Sequence, residues 1–252
     1  GKNITLSCLH LDKNKNLWMG TTSNGIYCLS EDKSLSRPVT KGNITSIYED
    51  SSNELWIGSW EEGLYRVKTD GNIENLRHNP MNTNSLCSNF VRSCCEDNSG
   101  DLWIGTFNGL NRYDRETGKF HLYTANGNSP DGLTHSSIWC IVKDGQGTIW
   151  LGTYFGGVNY FNPEYEIYTR YKVGDTEKAG LSSPIVGRMT EDKDGNLWIC
   201  TEGGGVNVYD RINNTYRWYR HEEGRNSISH NNVKAIYYDR ANEIMWIGTH
   251  LG

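Results

Sequence analysis

The sequence has no long apolar run, no surplus of positive charge and no paired-cysteine framework. Nothing in it approaches the roughly 20 consecutive apolar residues of a membrane-spanning helix. The first residues carry no charged-then-apolar leader pattern, so any export signal or membrane tether is expected outside this chain. A formal net charge of −5 argues against a nucleic-acid partner, because gripping a phosphate backbone needs a basic face. Only 36% of residues are hydrophobic and mean hydropathy is −0.67, which does not suit a thick helical core. The seven cysteines stand singly in strand-like runs, apart from adjacent Cys94 and Cys95. They show no C-x2-C spacing and read as small buried residues. The seven histidines show no metal-ligand spacing either, so neither a metal nor another cofactor is expected.

Aromatic side chains and glycine are abundant instead: nine Trp, fifteen Tyr and 28 Gly in 252 residues. That combination suits many short, half-buried strands joined by tight turns. Six of the tryptophans recur in one context, as in Leu55-Trp56-Ile57-Gly58-Ser59 and Leu102-Trp103-Ile104-Gly105-Thr106. Trp18, Trp56, Trp103, Trp150, Trp198 and Trp246 are spaced by 38, 47, 47, 48 and 48 residues. An aspartate stands six residues before each of the first five (Asp12, Asp50, Asp97, Asp144, Asp192), and Asp239 stands seven before Trp246. Between Asp and Trp lies a tight turn whose side-chain cap is the aspartate and whose left-handed position suits Gly or Asn.

Each repeat therefore reads as four short antiparallel strands, A to D, with Trp on strand B. Four-stranded units at this period are the signature of propeller blades. A Trp between neighbouring sheets removes on the order of 150–250 Å² from water, and the small residue two positions after it allows close approach. The fold expected is all-β: a β-propeller domain over residues 1–252, with units near 4–43, 44–89, 90–136, 137–183, 184–231 and 232–252. Five blades are complete and the sixth has strands A and B only. A piece of a longer propeller array, or strands borrowed from a second copy as a homodimer or strand exchange, is the expected reason.

The motif Asp-x-x-Gly-x-Leu-Trp-Ile-Gly-Thr-x-x-Gly-Gly-Val/Leu-x-x-Tyr, nearly complete in Asp192–Tyr209, resembles the two-component regulator propeller repeat. The resemblance covers nearly the whole chain and extends to Leu86, Leu133, Leu181 and Ile228, each eleven residues before its unit's Asp. It implies a periplasmic propeller of a hybrid sensor histidine kinase from Bacteroides-type bacteria. In that family the propeller reads an oligosaccharide and signals to a kinase, here absent from the chain.

Positions at which the units disagree are free to carry function. Near the start of strand A stand Arg92, Trp139, Arg188 and Lys234, exceptions in otherwise small sets. The loop after the Gly-Thr/Ser pair carries Trp60, Phe107, Tyr154, Phe155 and His250. Aromatic rings stacking on sugar faces, with Arg or Lys pairing a carboxylate or sulfate, would make an oligosaccharide site. Packing of loops is the plainer reading of the same residues. Catalysis has thinner support, since Glu61 and Glu62 are sequence neighbours and cannot face each other across a glycosidic bond. A propeller lyase of the streptogramin type and a protein-interaction propeller are the alternatives.

Overall fold

The computed structural model describes residues 4–125, 132–162, 167–171, 173–174 and 180–250. They form two compact units, Gly1–Tyr123 and Thr124–Gly252. The first unit holds three sheets: β1 (Leu6–Leu11), β2 (Leu17–Thr21), β3 (Ile26–Leu29) and β4 (Leu35–Val39); β5 (Asn43–Glu49), β6 (Leu55–Trp60), β7 (Leu64–Val67) and β8 (Ile73–Leu76); β9 (Val91–Glu96), β10 (Leu102–Thr106), β11 (Gly109–Asp114) and β12 (Lys119–Tyr123). The second unit holds β13 (Ile138–Lys143), β14 (Ile149–Thr153), β15 (Val158–Asn162) and β16 (Ile167–Tyr171); β17 (Val186–Glu191), β18 (Leu197–Thr201), β19 (Gly205–Asp210) and β20 (Thr215–Tyr219); and the pair β21 (Val233–Asp239) and β22 (Ile244–Thr249). Every sheet is an antiparallel meander in chain order, which is the build of propeller blades. No described residue is helical, and no helix is long and apolar enough to cross a membrane.

Apolar side chains on both faces of each sheet require neighbours, and the sheets supply them to one another. In the first unit Trp18, Ile26 and Cys28 pack with Ile44, Leu55 and Ile57 of the following sheet. Trp56 and Leu64 pack in the same way with Val91, Leu102 and Ile104. In the second unit Trp150 and Val158 pack with Val186, Leu197 and Ile199. The glycines after the Trp matter because of the β-branched residue on the next inner strand. A Cβ on Gly20 would lie 2.8 Å from Ile44 Cγ2, one on Gly58 3.0 Å from Val91 Cγ1, and one on Gly152 2.6 Å from Val186 Cγ1. Cys200, in the fifth repeat, fills that place and is buried with Val206 and Val233. Trp246 differs from the blade tryptophans. It is 59% exposed.

The aspartate before each Trp does more than cap the turn. Asp50 Oδ1 accepts the backbone N–H groups of Ser52 and Glu54, at 2.8 and 2.9 Å, while its Oδ2 accepts the indole Nε1–H of Trp56 at 2.7 Å. The same indole-to-carboxylate bond joins Trp18 to Asp12, Trp103 to Asp97, Trp150 to Asp144 and Trp198 to Asp192, at 2.7–2.8 Å. The extra residue in the sixth turn changes this: Asp239 accepts from the Ala241 and Asn242 N–H groups and from the Asn242 amide. Lys15 and Asn53 take the left-handed turn position in the first two repeats, where Gly100, Gly147 and Gly195 serve later.

A second contact ties this turn to the next sheet. The residue after the aspartate donates its N–H to a glutamate at the end of the following inner strand. The pairs are Lys13 with Glu49, Ser51 with Glu96, and Gly145 with Glu191, at 3.1, 2.8 and 2.8 Å. In the third, fourth and fifth sheets a buried asparagine on strand C (Asn111, Asn159, Asn207) accepts an N–H from the loop before strand A. Asn159 and Asn207 also donate their amides to Thr134 Oγ1 and Ser182 Oγ, at 2.6 and 2.7 Å. Asn111 accepts from the Cys87 N–H at 2.9 Å, but its buried Nδ2 has no hydrogen-bond partner, because a thiol stands where the others have a hydroxyl. None of the seven cysteines is joined in a disulfide, and five of them are buried.

These bonds make three expectations testable. Asp50→Ala, which strips acceptors from Trp56 and from the Arg115 guanidinium 2.7 Å away, lowers stability in urea unfolding by about 3–5 kcal/mol. Burial opposes ionisation of Asp12, Asp50 and Asp192, but the bonds from indole and turn N–H groups together outweigh it and hold all three below the ordinary carboxylate value. A depressed folded-state value stabilises above the unfolded one, so the urea midpoint stays level above about pH 5 and falls as pH drops through and below 4. Cys87→Ser gives the Asn111 amide an acceptor and raises stability by about 0.5–1.5 kcal/mol in the same assay.

Candidate functional site

The ladder between strands A and B is interrupted at one place in every repeat. Registers jump from Leu6 to Cys8, Ile44 to Ser46, Val91 to Ser93, Ile138 to Cys140, Val186 to Arg188 and Val233 to Ala235. The residues left out of pairing are Ser7, Thr45, Arg92, Trp139, Gly187 and Lys234. A bulge bends the strand and re-aims the unpaired side chain. This is the physical reason why that position tolerates Ser, Arg, Trp, Gly or Lys: it has no place in the ladder to fill. Thr45 donates its hydroxyl to the Val91 carbonyl at 2.5 Å.

Beside each bulge is the loop after strand B. A Thr or Ser hydroxyl there donates to a glycine carbonyl and accepts an N–H, as Ser59 does with Gly63 and Glu62 and Thr153 with Gly157 and Gly156. The loop is held by its backbone, and its intervening side chains are left to project.

In the first unit this brings Trp60, Arg92 and Phe107 together with Phe90. The Arg92 guanidinium carbon lies 4.3 Å from the centre of the Trp60 ring. Trp60 meets Phe90 edge-on at 5.1 Å, and Phe90 lies 6.2 Å from the exposed Phe107. Phe90 is not among the sequence candidates, because it sits in the loop before strand A, two residues before Arg92. Its signal was available: an aromatic directly before the Val91 that packs beneath Gly58. Glu62 is tied to Arg77 at 2.5 Å.

In the second unit Trp139 and Tyr154 stack at 4.8 Å with ring planes 15° apart. Phe155, 55% exposed, meets Tyr154 at 4.4 Å, and His135 stands 6.4 Å from Phe155. His135 also went unpredicted; its Nδ1 accepts the Ser137 N–H at 3.0 Å, which fixes the ring at the loop mouth. Arg188, one position past its bulge, is half-buried, and its charge opposes the burial that pushes the Cys140 thiol up to about 12. Lys234 is ion-paired with Glu202, and His250 packs against His230 with ring centres 5.9 Å apart. These two are engaged with neighbours and are not part of the Trp139 group. Among the described residues no cluster of His, Cys, Asp or Glu has the arrangement of a metal site.

Chemically, the first group is an aromatic cluster with a guanidinium laid over one ring, and the second is an aromatic stack with an imidazole beside it. They can stack on a flat hydrophobic ligand face and hydrogen-bond or pair with its rim.

Comparison with known proteins matches this architecture. The two component regulator propeller repeat matches five times, at residues 38–61, 85–108, 132–155, 180–203 and 227–250. Each match runs from the loop before strand A through the Trp strand to the loop after it. The chain is built of two-component regulator propeller repeats. No curated protein sequence matches it. Among solved structures it is similar to the extracellular domain of a putative hybrid two component system from B. thetaiotaomicron, with 25% identity and a TM-score of 0.53 over 99% of this chain and 37% of that one. A second such domain from the same organism gives 19% identity and a TM-score of 0.54, over 100% and 41%. A streptogramin B lyase gives a TM-score of 0.72 at 15% identity, over 96% and 75%, a likeness of fold alone. The chain thus spans about two fifths of the length of the two extracellular domains.

The structure separates rim from blade energetically. Tyr154→Ala costs no more than about 1.5 kcal/mol in thermal or urea unfolding, the scale of an aromatic pair. Trp150→Ala, four residues earlier and buried, costs about 3–5 kcal/mol.

Proposed function

We propose that this chain is the ligand-reading part of an extracytoplasmic sensor of a hybrid two-component system, that its ligand is an oligosaccharide, and that it signals to a histidine kinase and membrane tether outside the chain. The repeat family and the two similar extracellular domains support the general kind. The observation that carries the ligand class is the Trp139–Tyr154 stack with Phe155 beside it, held on a bulge and a backbone-braced loop. A stacked, part-exposed aromatic pair offers a flat apolar face to the C–H face of a sugar ring. The Arg92–Trp60 pair adds a guanidinium suited to a carboxylate or sulfate on the same class of ligand.

A protein-interaction reading has one observation in its favour: Tyr237 and Trp246 stand exposed on the last sheet, an apolar face of the kind that binds protein. Its dimer version requires self-association, which light scattering over a hundredfold range of concentration would reveal. The lyase alternative rests on likeness of fold.

The test of the main reading is calorimetry of the protein against neutral, uronate-bearing and sulfated oligosaccharides. Binding of at least one class is expected. Trp139→Ala or Tyr154→Ala should weaken it tenfold or more, equivalent to about 1.4 kcal/mol. Arg92→Ala should weaken acidic ligands selectively. Absence of binding across all three classes, or binding indifferent to these variants, would sink the proposal.

A further inference from the structure

At two sheet interfaces the turn aspartate of the earlier sheet holds an arginine from the later one. Arg115 reaches Asp50 Oδ2 at 2.7 Å and Glu96 Oε1 at 3.3 Å, and its guanidinium carbon lies 5.6 Å from the centre of the Trp56 ring. Arg211 makes the same contacts: it pairs with Asp144, reaches Glu191 Oε1 at 2.7 Å and lies 5.9 Å from Trp150. Both arginines occupy one place in their repeats, directly after the Tyr-Asp that ends strand C (Tyr113-Asp114-Arg115 and Tyr209-Asp210-Arg211). The second repeat reads Val67-Lys68-Thr69 there, and its turn to the last strand is one residue shorter.

The interface between the first and second sheets consequently has the acceptors without the arginine. A pocket of about 340 Å³ lies there, lined by Asp12, Trp18, Glu49 and Thr69 among others. Asp12 is 8% exposed and the Glu49 side chain 7%, so both carboxylates are desolvated as Asp50 and Glu96 are. The neighbouring cations are engaged. Lys68 pairs with Glu74, the Lys13 ammonium bonds the Asp50 carbonyl and Asn53 Oδ1, and His10 Nε2 lies 3.4 Å from Glu49 Oε2. The Asn16 amide donates to Asp12 Oδ2 at 2.9 Å, where the equivalent residues of the two arginine-filled interfaces are Glu54 and Thr148.

We propose that this pocket is a binding site for a guanidinium group supplied from outside the first three repeats. The warrant is internal: the same set of groups, an aspartate bonded to an indole, a glutamate from the next sheet and the face of the tryptophan ring, binds a guanidinium twice elsewhere in this chain. The planar fork bonds two carboxylates at once while its face covers the ring, which a compact ammonium does not do as well. Replacing the neutral Asn16 donor by a charged one exchanges an ordinary hydrogen bond for one about twice as strong.

The indole N–H signal of Trp18 in a nitrogen–proton correlation spectrum reports directly on Asp12, and its assignment follows from Trp18→Phe. Titration with methylguanidinium is expected to shift it saturably, with a midpoint on the order of 1 mM, and more strongly than methylammonium at equal ionic strength. Asn16→Thr should tighten the response and Glu49→Gln weaken it about tenfold. Thr69→Arg should abolish the response and raise the urea midpoint, as the chain's own guanidinium takes the place. An arginine-containing tripeptide that binds more tightly than methylguanidinium would identify a protein side chain as the source, and one that binds less tightly a small free cation. A Trp18 signal that does not saturate, that answers methylammonium equally, or that responds unchanged in Thr69→Arg would overturn the proposal.

Discussion

One carboxylate in each of the first five repeats holds this structure together. The aspartate before each blade tryptophan is largely withdrawn from water, and a buried carboxylate is tolerable only when its oxygens are filled with donors. Its partners are drawn from two levels of structure at once. The turn N–H groups fix the hairpin between strands A and B, and the indole N–H fixes the orientation of the tryptophan that fills the space between sheets. At two interfaces an arginine from the next sheet adds a third level. Turn, side-chain orientation and sheet packing are therefore satisfied together or not at all, which is how a protein of modest apolar content obtains a defined interior.

That economy leaves one end of each sheet free. The bulge between strands A and B removes a single residue from the ladder in all six repeats, and the hydroxyl-braced loop beside it needs only its backbone. Rim and blade residues are thereby set apart. The tryptophan, aspartate and glycine of each repeat are held by the next sheet, whereas Arg92, Trp139 and the loop aromatics contact one another at the rim.

Much of the fold was legible because its constraints are periodic. The tryptophan spacing, the aspartate six residues earlier and the small residue that follows announce four-stranded blades before any coordinate is known. The indole-to-carboxylate bond was not legible, since a capping aspartate and an interface tryptophan each had a sufficient explanation alone. The bulge was hidden for a different reason: an extra residue in a ladder leaves no mark in composition, only variability at one position. Within the candidate site, Trp60, Arg92 and Phe107 do come together, as do Trp139, Tyr154 and Phe155, because neighbouring loops were compared at matching offsets. Phe90 and His135 escaped because they lie before the strand in which the comparison began. Lys234 and His250 stand at the same variable positions, but Lys234 is ion-paired with Glu202 and His250 packs against His230.

Repetition also exposes what a single domain would conceal. In an isolated interface Asp12, Glu49 and Trp18 would pass for ordinary packing around a polar turn. Set beside Asp50, Glu96 and Trp56, they are the same set of acceptors, with Thr69 at the place of Arg115. A duplicated architecture that changes one partner of an ion pair leaves a buried carboxylate in need of compensation, and here Asn16 supplies it with a neutral donor. A neutral donor satisfies geometry but leaves the negative charge uncancelled in a poorly solvated place. The interface between the first two sheets is therefore the one where an external cation has most to gain, and the chemistry that would recognise it is already built twice into the same chain.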